Sequence, residues 1–435
     1  MASNRRTFLA SSGLALTSLA GCVTLDSPST VGTWSQRAID NARTGSSRSS
    51  GPTTSLYEVW HRDWKNRGVV TVSPVVKDGR IYHGYSREAT NEERGGAWLE
   101  AFDAKTGKSQ WKIELWHTDE FHYFYVSDSL VLRGNRIFVQ TKPGLKAVGI
   151  DGTPRWTFDN LYRGQQTPDI VSPIVTDDTI VTGTYNTSVE ETGEPETVFG
   201  IDPDDGSERW QTEFPELSGM WQQSAADGIV YVPFSGDCLV ALDITNGQEL
   251  WRRYIPVHGT PSIADGQLFV GLTNDKREEN DIAVAAFDRE SGRQQWRKSA
   301  GYRWPDSGLA VANGLVYHVG KFDLQARRVD TGERVWEFGG QKSEKRRIEL
   351  KTTPVVAGDS VYVNGSKQKE TTFGQLFVVD ANTGEKRGQF SMGRNRYTMS
   401  VPAVTEELVF VSTNDGRLSA IAECNTKLFG HCLIG

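Results

Sequence analysis

Four cysteines in 435 residues are too few for a disulfide scaffold, and no two of them are adjacent. Combined with the seven histidines they give no zinc spacing, and no Cys-x-x-Cys-His is present to attach a c-type haem. The chain also lacks a Gly-x-Ser-x-Gly elbow and a phosphate-binding glycine loop. Positive charge is short as well: 48 Lys and Arg face 55 Asp and Glu, for a net charge of −7. KSEKRR (342–347) is the sole basic cluster, which argues against a nucleic-acid partner. No segment sustains a helical apolar period, and none beyond the N-terminus approaches a membrane-spanning length. What is abundant is glycine, at 44, and aromatics, with 13 Trp, 13 Tyr and 18 Phe. That combination suits many short strands joined by tight turns.

The first 22 residues read as an address label. Asn-Arg-Arg-Thr-Phe-Leu (4–9) resembles a twin-arginine export signal, with Asn4 where Ser or Thr is usual. An apolar stretch from Ala10 to Ala20 follows, ending in Leu19-Ala20-Gly21-Cys22, which resembles a lipobox. Cys22 is therefore the expected lipidation site, placing the protein on the outer side of the cytoplasmic membrane or at the cell surface. One lipid chain holds weakly, so a diacyl-type anchor is implied. Residues 23–54 read as a linker and entry segment, and 423–435 as a tail. Export permits a disulfide between Cys424 and Cys432 in that tail, while Cys238, in DCLVALD, reads as a buried small hydrophobe.

Between these ends the chain repeats itself. A polar turn followed by a β-branched and aromatic run recurs eight times, from DGRIYHG (78–84) to EELVFVS (406–412). Small residue plus proline precedes several copies, as at Ser73-Pro74, Ser172-Pro173, Thr260-Pro261 and Thr353-Pro354. After most copies comes a strand ending in a variant of Ala-x-Asp, a turn closed by glycine, and a tryptophan four residues on: AFDAKTGKSQW (101–111), GIDPDDGSERW (200–210), ALDITNGQELW (241–251), AFDRESGRQQW (286–296), ARRVDTGERVW (326–336). Four strands per unit of about 40–50 residues is the signature of a β-propeller. The eighth unit lacks its fourth strand, and SLYEVWHRD (55–63) carries a tryptophan in the missing slot. The fold class is thus all-β, an eight-bladed propeller over 55–422 that the N-terminal strand closes. Trp60, Trp111, Trp156, Trp210, Trp251, Trp296 and Trp336 read as inter-blade packing rather than ligand contacts. Gly388 takes the tryptophan slot in blade seven, and Arg328 replaces the aspartate in blade six.

The repeat A-x-D-x-x-T-G-x-x-x-W is similar to that of the pyrroloquinoline-quinone (PQQ) enzyme-like propellers. The resemblance covers residues 34–422, including a Trp34, Asp40, Thr44-Gly45, Gly51-Pro52 entry segment. The family holds quinoprotein dehydrogenases beside non-enzymatic lipoproteins such as the propeller subunit of the outer-membrane assembly machinery. The dehydrogenase branch implies PQQ with calcium, adjacent cysteines and carboxylate ligands. DPDDGSE (202–208) is the one stretch that suggests calcium, and it falls in a blade turn.

Loops between second and third strands are long in alternate blades: 86–96, 186–196, 274–281 and 365–374. They share a face with the connectors between blades, which are rich in aromatics. Trp116, His117, Phe121, His122, Tyr123, Trp221, Arg303 and Trp304 are the candidate recognition residues there, the alternative being a hydrophobic lid on the channel. Asn186 and Asn364 begin Asn-x-Ser sequons at the same loops. The reading is an exported, lipid-anchored, monomeric propeller that is a non-catalytic binding or scaffolding module, with no cofactor of its own. Its partner is a protein or surface polymer, not a nucleic acid. The other readings are a PQQ-dependent oxidoreductase and an assembly factor for exported proteins.

Overall fold

In the computed structural model the described residues are 32–64, 70–87, 89, 94–118, 130–141, 144–161, 172–184, 195–234, 238–273, 281–302, 308–320, 322–339, 347–350, 352–368, 372–394, 396, 400–424, 427–428 and 431–432. They form strands joined by turns, arranged as eight four-stranded antiparallel blades in a propeller ring. Blade four is representative: Ser224–Ala226, Ile229–Phe234, Cys238–Asp243 and Glu249–Tyr254 run from the channel outward. Blade eight pairs Leu56–Asp63 with Arg417–Glu423, then Val409–Thr413 and Ala403–Val404. The ring is therefore closed by an N-terminal strand.

Two kinds of turn set each blade. The first hairpin uses pairs such as Asp78-Gly79 and Asp227-Gly228, both residues with positive φ (49° and 71°, 48° and 80°). That is the geometry whose twist matches paired strands. The outer hairpin is held by its aspartate. Asp103 Oδ1 accepts from Thr106 N at 2.8 Å and Thr106 Oγ1 at 2.7 Å, and Gly107 N donates to Asp103 O at 2.8 Å. At Arg328 the same backbone bond survives without a carboxylate, Gly332 N to Arg328 O at 2.9 Å.

Packing between blades answers why tryptophan follows that glycine. Each indole lies on the next blade's outer turn and donates its Nε1–H to a carbonyl there. The partners are Ala104 for Trp60, Ile150 for Trp111, Pro203 for Trp156, Ile244 for Trp210, Arg289 for Trp251, Val329 for Trp296 and Ala381 for Trp336, at 2.8–3.2 Å. The ring rests on the turn glycine: a Cβ at Gly107 would sit 2.5 Å from Trp60, and one at Gly247 2.3 Å from Trp210. Glycine is thus needed twice, for its φ of +66° or +73° and for the room it leaves.

The core is divided among the junctions. One apolar cluster lies between each consecutive pair from blade one to blade seven, and a single larger cluster joins blades seven, eight and one. One sequence expectation changes here. Residues 365–374 are largely strand, since Ser360–Gln368 pairs directly with Thr372–Asp380, and Arg347–Leu350 adds along the same edge. Residues 34–54, within the segment read as linker and entry, are built into the ring.

Candidate functional site

The segment after Trp34 winds through the channel as a collar and is bonded to one blade after another. Trp34 and Val76 of blade one exchange two bonds of 2.8 Å. Ser35 O then accepts from Leu132 N of blade two at 2.7 Å. Asn41 spans blades three and four, its Nδ2 donating to Val175 O at 2.8 Å and its carbonyl accepting from Ala225 N at 2.7 Å. Ala42 O takes Ile263 N of blade five, Thr44 O takes Val311 N of blade six, and Gly45 O takes Val356 N of blade seven, at 2.7–2.8 Å. Such a path needs sharp reversals. Ala38, Ile39, Arg43 and Gly45 all have positive φ (54°, 66°, 54°, 62°), a conformation a β-branched residue adopts only under tertiary constraint.

The collar's polar side chains point among the blade starts. Arg43 and Arg37 are buried, with 1% and 8% exposure. Arg37 Nη2 donates to Thr353 Oγ1 at 3.3 Å, and Arg43 Nε to Gln223 O at 3.1 Å. Asp40 caps its own turn, accepting from Thr44 N at 2.9 Å and Thr44 Oγ1 at 2.5 Å. Burial raises the Asp40 carboxyl above its ordinary range, against the pull of Thr44 and Arg43. His83 and His318, both fully buried, are pushed down to about 3 by that burial, so they remain neutral. Composition hid the collar because it carries no apolar run; the turn residues Asp40, Thr44 and Gly45 were its visible signal.

The candidate recognition residues separate. Trp116 and His117 extend the outer strand of blade one, paired with Ala97 and Gly96, and His117 Nδ1 lies 2.8 Å from Glu114 Oε1. Trp221 precedes the inner strand of blade four and packs edge-on against His258 at 5.6 Å. These three occupy opposite margins of different blades and do not make one patch. Phe121, His122, Tyr123, Arg303 and Trp304 lie outside the described residues, as do Asn186 and the signal segment with Cys22. Asn364 corrects the sequon reading: it has 0% exposure and its Nδ2 donates inward to Ser400 O at 3.0 Å, so the folded chain leaves no room for a sugar there. Cys424 and Cys432 are disulfide-bonded, with Cα atoms 5.6 Å apart, and the bond ties a small hairpin to the last strand. Cys238 is buried, and desolvation pushes its thiol up to about 11.

The fit to a quinone with calcium is poor among the described residues. No three His, Cys, Asp or Glu side chains converge as a cation site there, the cysteines include no adjacent pair, the Asp202 and Asp205 carboxylates accept from backbone N–H groups of their own turn, and Asp204 pairs with Arg136 at 2.7 Å. Asp202 instead pairs with Arg209 at 2.7 Å.

Fold and site together define a closed eight-bladed propeller of the PQQ-repeat type with a channel filled by its own N-terminal collar. The chain belongs to the family whose model is described as outer membrane protein assembly factor BamB, matched over residues 57–196 and 194–425. Outer membrane protein assembly factor BamB of Legionella pneumophila is 28% identical over 205 residues, 45% of this chain and 49% of that protein. The chain thus spans about half the length of that relative. Among solved structures, BamB from Moraxella catarrhalis superposes with a TM-score of 0.58 at 16% identity, covering 86% of this chain and 99% of that one. Quinohemoprotein alcohol dehydrogenase from Comamonas testosteroni superposes with a TM-score of 0.63 at 14% identity, covering 93% and 82%. At those identities the structural likeness shows the fold alone.

Proposed function

We propose that this chain is an exported, lipid-anchored propeller acting as a non-catalytic docking module for other proteins of the cell envelope. Its finer role is assistance in assembling exported membrane proteins. The observation that carries this is the family match, which covers nearly the whole ring and bears the description of an assembly factor. Among the buried titratable groups, Asp40 caps its own turn and His318 accepts from Arg327, which fits a packing role at those positions.

The test is a strain lacking the chain, with its envelope proteins quantified. Levels of a subset of exported membrane proteins should fall and be restored by the wild type. Cys22→Ser should appear in the soluble fraction and restore less. An unchanged envelope, together with a saturable rise in melting temperature on adding PQQ and Ca²⁺ and reduction of an artificial acceptor dye, would overturn the reading in favour of a quinone oxidoreductase.

A further inference from the structure

Both ends of the collar point to one face of the ring. Trp34 forms an antiparallel bridge with Val76, whose strand leads to the Asp78-Gly79 turn of blade one. The chain before Trp34 therefore heads the way that strand runs, out of the channel on the side of the first hairpins. Ser46–Ser47 pairs in parallel with Val356 and Ala357, and so runs toward the turn at Gly358. Ser47 O accepts from Gly358 N at 3.1 Å, and a Cβ on Gly358 would lie 3.5 Å from Ser50. Gly32 is beside this exit, since a Cβ there would lie 3.9 Å from Ser49 Oγ. Trp34 is fully buried and Thr33 is exposed, so the mouth of the channel lies at that step.

The collar keeps to that mouth around the ring. Its bonds fall two residues before the first turn of each blade they reach, as at Val76 before Asp78, Ala225 before Asp227 and Val311 before Asn313. The closing strand starts on the same side: Leu56 pairs with Glu423 at the end of the third strand of blade eight, and Cys424 N donates to Ser55 O at 3.2 Å. The outer turns share this face, and the connectors between blades lie on the opposite one.

We propose that this turn face is the membrane-proximal side of the protein, held there by the lipid on Cys22, with the connector face turned away from the bilayer. The proposal rests on the anchored reading given above. Length decides between the two faces. Cys22 and Gly32 are ten residues apart, a span of at most about 36 Å. A tether leading from the channel mouth over the rim to the opposite face has to cross four strands, roughly 14 Å, and then follow a strand such as Lys386–Arg394, roughly 27 Å. That path is longer than the tether. The turns are acidic, as at Asp78, Asp227 and Asp265, so the face is repelled by anionic lipid and the covalent attachment alone sets the orientation. The connector face is thereby left to protein partners.

The experiment is energy transfer from the labelled, lipidated full chain to an acceptor-labelled lipid in reconstituted vesicles. Asn246→Cys puts the label in the outer turn of blade four, and Tyr254→Cys puts it at the far end of the strand that follows. Both positions are exposed, and the strand between them spans about 20 Å. The native thiols do not compete for the label, since Cys238 is buried and Cys424 and Cys432 are bonded to each other. Transfer should be several-fold stronger from Asn246→Cys than from Tyr254→Cys, and Cys22→Ser should abolish it from both. Equal transfer from the two labels in vesicle-bound protein, or stronger transfer from Tyr254→Cys, overturns the proposal and leaves the anchor standing. Transfer that persists in Cys22→Ser overturns it as well, because the protein surface would then adsorb without its tether. Protein that does not float with the vesicles removes the anchor, and the proposal with it.

Discussion

Seven junctions between blades are built one way, and the junction between blades seven and eight is built another. At the seven, an indole crosses to the neighbour's outer turn and donates to it. Blade seven has no turn to reach, because the fourth strand of blade eight comes from the N-terminus. Gly388 occupies the slot, and a Cβ there would lie 2.1 Å from Thr53 O. The entry segment itself fills the gap: Gly51 sits against Val404 and Tyr362, Tyr362 Oη donates to Pro52 O at 3.0 Å, and Thr53 N donates to Glu423 Oε2 at 2.8 Å. An irregularity in the repeat is thus the imprint of where the ring is sewn shut. Backbone replaces a side chain, and a glycine makes the space.

The largest effect should come from removing the seam strand. Without residues 55–63, Arg417–Glu423 loses its partner, and Trp60 no longer bridges blades eight and one. Cooperative unfolding by circular dichroism should be lost altogether. A deletion variant that melts as the parent does would show that the ring does not depend on its closure.

Single substitutions separate the two kinds of junction. Trp251 has 8% exposure, bonds to Arg289 O and lies 5.8 Å from Tyr231, so Trp251→Ala should cost about 3–5 kcal/mol in denaturant unfolding. Trp251→Phe, which keeps a ring and loses the indole N–H, should cost less. Gly388→Ala tests the seam from the other side. It forces a methyl into the Thr53 carbonyl and should cost about 1–3 kcal/mol, although alanine is no larger than the space at an ordinary strand position. If Gly388→Ala is neutral, the seam is loosely packed and the contrast between the junctions fails.

The architecture was legible because its determinants are local and repeated. Asp103, Thr106, Gly107 and Trp111 specify a turn and a packing site within nine residues, and the chain restates the pattern until chance is excluded. The missing strand of blade eight could be found because Trp60 carries the same signature. The entry segment was visible in Trp34, Asp40 and Thr44-Gly45, but its path as a collar was not, since its bonds join residues such as Thr44 and Val311 that are remote in sequence, and most of its contacts use backbone carbonyls that any residue supplies. The recognition face was read from aromatic content, which does not reveal radius. Trp116 and Trp221 came out at the outer and inner margins of their blades.

The smallest effect expected is electrostatic and lies along the seam. Arg417 Nη2 donates to both oxygens of Glu58, at 2.8 and 2.6 Å, across the strand pair that closes the ring. Burial alone would raise the Glu58 carboxyl, but the bonds from Arg417 and Ser419 outweigh it and hold the group below its usual range. A depressed carboxylate contributes stability that is present above its unfolded value, near pH 4.3, and is lost as pH falls through the lower folded value. Arg417→Gln should therefore destabilise the protein by less than about 1 kcal/mol at pH 7, the range of partly exposed ion pairs. The gap between variant and parent should narrow as the pH falls below about 4. A gap that stays constant from pH 7 to pH 3 would assign the effect to the lost packing of the arginine stem, and the seam would then be held by backbone pairing and Trp60 without help from its charges.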